Sequence, residues 1–319
     1  MLNSLLPNFF TARSEPTLPA EIPSADDTVV VYANPQRGRR LYQELERRTG
    51  FSGPPGGTGD VGRLPGKAAL SLHTPRPGGT DAPLRGHLID SHTLVLRAPD
   101  VDDASRARLI GALMHHNVGL IVDLSTGESC RTGPHGLSST WDGELPTGER
   151  ADICRVDTPP AQGLPERATT VQLDLMLAPP ACHGKAAART QKCSIDLVEL
   201  GQADPSDALT VAEALALVRH CQRHRQDCPD ERIAFLSVDG RGPAAALAGM
   251  ERIFGDWTGH RLRPAEVDAV TLRHARDLTA LCGAFSLMEK DLTTMADFTE
   301  YLAANPLSGA PDDQRRSAP

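Results

Sequence analysis

"FLSVDGRGPAAALAGM" occupies positions 235–250 and joins three textures: an apolar run, a tight Gly-rich turn and an Ala-rich stretch that reads as a helix. A strand feeding a glycine loop and then a helix N-terminus is a common way to hold phosphate. Backbone N–H groups turn inward, and the helix adds its positive end. Gly240 and Gly242 permit the turn, and Pro243 is comfortable as a first helical residue. The same glycines would also serve a loop that only turns. A second template, G-x-G-x-x-A, fits "GRGPAA" (240–245) and would make this a dinucleotide site. That motif requires a second strand, ending in an acidic residue, after its helix. The chain beyond the Ala-rich stretch, "GDWTGHRLRPAEVDA" (255–269), reads as turn and then helix.

Upstream of the loop, "RIAFLSV" (232–238) reads as a buried strand. The helix before it opens at Thr210 with a capping box to Glu213, and Val211, Leu215 and Val218 follow on one face. Further back, "CSIDLVEL" (193–200) and the alternating "TTVQLDLML" (169–177) are strand candidates. "VGLIVDLS" (118–125) is a continuous apolar run, as a strand buried on both sides should be. In "DDASRARLIGALMHHN" (102–117), Leu109, Ile110, Leu113 and Met114 share one helical face, with Asp102 and Asp103 as N-cap and first-turn residues. "HTLVLRAP" (92–99) and "TVVVYA" (28–33) read as strands, and "QRGRRLYQELERRTG" (36–50) as a helix stopped by Gly50. Residues 126–150 read as loop. Two helices, near 264–281 and 292–303, close the domain. Residues 1–27 read as a disordered leader, 28–303 as the folded domain with a Gly/Pro-rich loop at 51–83, and 304–319 as a disordered tail.

Composition is globular: 319 residues, 39% hydrophobic and 23% charged. The net charge of −8 comes with no evident basic face, which argues against nucleic acid as a partner. No segment is apolar for long enough to span a membrane, and the N-terminus lacks the basic start and apolar core of a Sec-type signal. The seven cysteines form no C-x-x-C pair, which fits free thiols in a reducing compartment.

The order of elements over roughly 84–303 resembles the protein tyrosine phosphatase fold, and most of all the bacterial type III-secreted tyrosine phosphatase effectors. "NVGLIVDL" (117–124) matches the family's N-x-x-x-I-V-x-L strand, and "IAFLSVDGRGPAA" (233–245) falls on its signature V-V-x-C-x-x-G-x-G-R-[ST]-G. The fold this implies is α/β: a twisted mixed central sheet flanked by helices on both faces. The resemblance places Ser237, Val238, Asp239, Gly240, Arg241, Gly242, Pro243 and Ala244 in the phosphate loop. It sets Ser237 at the nucleophilic cysteine, Leu236 at the preceding histidine and Pro243 at the phosphate-gripping arginine. Serine without a base is a poor nucleophile where a thiolate is needed. Proline supplies neither the guanidinium fork nor an N–H. The general-acid aspartate falls on Asp204 or Pro205, and no tryptophan is near. The family's water-positioning glutamine is missing from "CGAFSLMEKD" (282–291). Tyr42, the available ring for phosphotyrosine recognition, sits in a helix.

With these elements degraded together, the resemblance implies a pseudophosphatase: a secreted effector that binds a host protein, a phosphotyrosine-bearing one among the candidates. A secretion chaperone at the leader would be a further partner. A divergent active phosphatase using Ser237, Arg241 and Asp204, and a nucleotide-binding protein using 240–245, are the alternatives. No cofactor and no metal are expected. In "RHCQRHRQDC" (219–228), Cys221, His224 and Cys228 lie near one helical face, but a polar helix end with Cys221 toward the core accounts for them. Arg241 reads as a solvent-facing loop residue, and His115 and His116 as a helix C-terminal turn.

Overall fold

The computed structural model describes residues 35–50, 86–99, 102–125, 137–145, 148–159, 161–178, 191–201, 209–238, 240–259, 262–283 and 286–305. The expected strand at 28–33, the loop at 51–83, the acid-loop positions Asp204 and Pro205, and Asp239 lie outside them. The chain runs α1 (Pro35–Thr49), β1 (Gly86–Leu88), β2 (Thr93–Arg97), α2 (Asp103–His115), β3 (Val118–Asp123), β4 (Trp141–Glu144), β5 (Arg150–Asp157), β6 (Ala168–Ala178) and β7 (Gln191–Leu200). It continues with α3 (Val211–Asp227), β8 (Arg232–Ser237), α4 (Pro243–Gly259), a 3-10 turn (Pro264–Glu266), α5 (Val267–Cys282) and α6 (Glu289–Ala304).

The strands form one mixed sheet in the order β1-β2-β8-β3-β7-β6-β5-β4. β2, β8, β3 and β7 are parallel neighbours. β7, β6, β5 and β4 continue as an antiparallel meander, and β1 pairs antiparallel at the other edge. The sequence explains both halves. Every residue of β3 is buried, as a parallel strand covered on both faces requires. β6 alternates instead, burying Val171, Leu173, Leu175 and Leu177.

Apolar cores lie on both faces of the sheet. One joins Val95, Val122 and Phe235 to α1 and α3–α6; the other joins Leu96, Ile121 and Leu236 to α2 and the meander. Helix ends form where the local chemistry sets them. Asp102 accepts the Ser105 N–H at 2.6 Å to start α2. Thr210 and Glu213 complete their reciprocal box at 3.2 and 2.9 Å to start α3. Gly50 follows α1 at φ 70°.

The stretch 126–150 is not all loop, because β4 and the first residue of β5 fall within it. "WDGE" has a glycine and two acids, so its own propensity does not announce a strand. Pairing decides it: Trp141 lies opposite Ile153, and Arg150 Nε donates to Asp142 Oδ1 at 2.8 Å.

Two arginines, one part-buried and one wholly buried, hold elements together. Arg225 of α3 reaches Glu251 of α4, whose side chain is 4% exposed. Its Nη2 donates to Glu251 Oε2 at 3.0 Å and to Thr93 Oγ1 at 2.6 Å. Its Nε lies 2.8 Å from Oε1 but off the hydrogen-bond axis, so the Nη2 bonds are the firm ones. Arg106 of α2 is wholly buried; Nη1 donates to Ser139 Oγ at 2.8 Å and Nη2 to the Ser139 carbonyl.

Candidate functional site

β8 lies between β2 and β3, so its C-terminal end opens at the middle of the parallel strands, where α/β sheets place their ligands. There the chain leaves β8 at Ser237 and enters α4 at Pro243. Gly240 and Gly242 adopt φ 69° and 56°, the left-handed region that favours glycine. A Cβ on Gly240 would also stand only 3.0 Å from the Arg97 backbone nitrogen.

The donors of this loop are largely occupied. Gly240 N–H donates to the Ser237 carbonyl at 3.1 Å, and Gly242 N–H to the Ser286 carbonyl at 2.8 Å. Arg241 N–H donates to Ser237 Oγ at 3.0 Å. Pro243 has no N–H. Four consecutive positions, 240–243, therefore offer no free backbone N–H to an anion. A phosphate nest depends on convergent, unoccupied N–H groups.

Ser237 is 3% exposed, and its hydroxyl is committed within the loop. It donates to the Arg241 carbonyl at 2.7 Å while accepting the Arg241 N–H. Among the described residues no imidazole or carboxylate is bonded to Ser237 Oγ. The hydroxyl thus acts as a staple across the turn. Ser237→Ala is expected to lower stability by about 1–2 kcal/mol, because the Arg241 N–H and carbonyl lose their partner together. Urea unfolding would read this as a lower midpoint at unchanged slope.

Asp291, the third residue of α6, lies against the loop with 4% exposure. A Cβ on Gly242 would stand 3.6 Å from its Oδ2, which also accepts the Met288 N–H at 2.8 Å. A carboxylate there opposes a second negative charge. Arg241 is half-buried rather than solvent-facing, and its charge is felt by His87 of β1 and Cys282 at the end of α5. Burial, and then the Arg241 guanidinium, hold His87 below the usual imidazole value. Burial pushes the Cys282 thiol up to about 12, so that thiol is no nucleophile.

Between α5 and α6, Ser286 docks on the loop through its carbonyl, which accepts the Gly242 N–H. The flanks of the acid-loop region are tied together by Arg167. Its Nη1 donates to the Gly201 carbonyl at 3.3 Å, and its Nη2 to Glu213 Oε2 at 2.8 Å. Burial pushes the Glu213 carboxyl up, but Arg167 and the Thr210 N–H outweigh it and hold it below the usual range. Tyr42 lies in α1, packed half-buried against the core. Val238 is exposed, and Ala244 is buried at the start of α4. The dinucleotide template lacks its second strand: after β8 the described residues are helical or irregular. Sequence reading missed His87, Asp291 and Ser286, which are far from the motif in the chain. The MEKD stretch (288–291) that opens α6 was the available signal for Asp291, since an acid three residues into a helix commonly caps it.

The fold is that of the protein tyrosine phosphatases. The Trypanosoma cruzi protein tyrosine phosphatase TcPTP1 superposes with a TM-score of 0.54 at 13% identity, covering 86% of this chain and 95% of its own. PTPN18, in a structure concerned with its fingerprint on distinct HER2 tyrosine phosphorylation sites, gives 0.57 at 13% identity, covering 84% and 94%. No family model matches the sequence, and no curated protein matches it. The likeness is one of architecture, and the chemistry of the loop has to be read from its own residues.

Proposed function

We propose that this chain is a catalytically silent protein tyrosine phosphatase-like domain that works as a protein-binding module. The observation that carries the reading is the occupied loop: the Ser237 hydroxyl bonds Arg241 in both directions, and positions 240–243 present no free N–H. Pro243, at the place the resemblance gives to the gripping arginine, adds to it. Nucleophile, anion cradle and guanidinium fork are each replaced by a residue that closes or starts an element. The resemblance to type III-secreted effectors extends the proposal. The domain would be a bacterial effector acting in a host cytosol on a protein partner, with phosphotyrosine proteins as the first class to test. Among the described residues no helix is long and apolar enough to cross a membrane.

The test pairs hydrolysis of an aryl phosphate and a phosphotyrosine peptide with calorimetric binding of the same peptide. The expected hydrolysis is indistinguishable between wild type and Ser237→Ala. Turnover that disappears in Ser237→Ala would overturn the proposal. Binding of the phosphopeptide but not its unphosphorylated form would identify a phosphotyrosine-reading module. Equal or absent binding moves the search for the partner to other surfaces.

A further inference from the structure

At the opposite end of β8 from Ser237, three chemically different donors converge. His224 and Cys228 stand four apart, at the last turn and C-cap of α3, and Glu231 lies in the turn just before β8. One ligand atom from each, with all three within 4.8 Å of one another, can be chosen from this trio. Four-apart spacing puts His224 and Cys228 on one helix face. Glu231 reaches them because residue 119 of β3 is glycine: a Cβ there would overlap Glu231 Oε2.

The histidine gives an independent pointer. His224 is nine-tenths buried as a side chain, and its Nε2 has no hydrogen-bond partner. The Glu231 carboxylate lies 3.3 Å away, but not in line for a hydrogen bond. Leaving a buried imidazole nitrogen unbonded is unfavourable. Cys221, the third member of the trio read from helical spacing, is fully buried in the core and drops out; Glu231 takes its place.

We propose that His224, Cys228 and Glu231 form a site for a borderline-soft divalent cation, zinc in particular. An imidazole, a thiol and a carboxylate together favour zinc over the hard, oxygen-seeking magnesium and calcium. Zinc holds such ligands at roughly 2.0–2.3 Å in a tetrahedron, which requires only a modest contraction of this trio. Three protein ligands leave a fourth position for water. On binding, the Cys228 proton leaves to solvent and the thiolate bonds the metal. The metal would clip the end of α3 to the start of β8. The strand separates it from the Ser237 loop by about 20 Å, at about 3.3 Å per residue, and the proposal does not depend on what that loop does.

The test titrates cobalt(II) and zinc(II) into the full chain after chelation, with circular dichroism as the check on folding. One equivalent of cobalt is expected to bind with a thiolate-to-metal charge-transfer band, and zinc is expected to displace it and raise the thermal midpoint. Cys228→Ser is expected to abolish the band. His224→Ala and Glu231→Gln are expected to weaken affinity by at least about tenfold. No binding, binding without a thiolate band, or a band that persists in Cys228→Ser would overturn the site. Should Cys228→Ser fail to fold, the near-isosteric Glu231→Gln decides, and unchanged affinity there overturns it too.

Discussion

Arg225→Ala is expected to destabilise the domain by about 3 kcal/mol, among the largest single-site effects here. The reason is what it leaves behind. Glu251 sits almost wholly inside the protein, and without Arg225 its carboxylate keeps, among the described residues, the Gln222 amide at 2.9 Å and Thr93 at a long 3.4 Å. Burial already raises the Glu251 carboxyl, with Arg225 as the main opposing influence and Asp90 adding to the rise. Removing Arg225 therefore raises it further. A carboxyl raised above its unfolded value favours the fold below that unfolded value and loses the advantage as pH rises through the folded one. The deficit of Arg225→Ala should accordingly be small in mild acid and grow toward neutral and alkaline pH. Replacing both partners, as in Arg225→Met with Glu251→Leu, should recover most of the loss, because no buried charge is then stranded. Urea unfolding at two pH values checks both statements. A deficit that is constant with pH would mean that Glu251 is not the cause.

Arg106→Ala is expected to cost about 3–5 kcal/mol. Among the described residues Arg106 is the largest wholly buried side chain, and it fastens α2 to the segment leading into β4. Its guanidinium also stands 5.8 Å from the Trp141 ring centre, in cation–π range. Burial pulls its pKa down to about 10, so the charge itself is held at some expense. Truncation relieves that expense, but it empties the space of a long stem and leaves the Ser139 hydroxyl and carbonyl short of a donor. Arg106→Met keeps the stem and should recover about half of that loss. An alanine variant as stable as wild type would show that those groups find water instead.

Much of the fold was legible because its signals are local. The all-apolar β3, the alternating β6 and the Thr210–Glu213 box each declare themselves within ten residues. β4 did not, because Asp142 and Gly143 become strand only through pairing with Ala151 and Asp152 on the next one. The same boundary divides the candidate site. The glycines and Pro243 of the loop could be read from the motif. The commitment of Ser237 Oγ to Arg241, and the approach of Asp291 to Gly242 from α6, are contacts made by folding. Glu231 belongs to the zinc trio for the same reason: the turn after α3, rather than helical spacing, returns it toward His224.

The place of β8 in the sheet also bears on the order in which the chain can become itself. Val95 and Val122 both pair with Phe235, so a strand made late in synthesis must enter between two made early. Until it arrives, β2 and β3 have no common neighbour and the sheet lacks its middle. Contacts this distant along the chain make closing the fold slow. A nascent chain ending before Arg232 would hold open edges and uncovered apolar faces, the kind of surface that aggregates or draws chaperones. The loop at Ser237 is then a late product of folding, present only in molecules that have completed their centre.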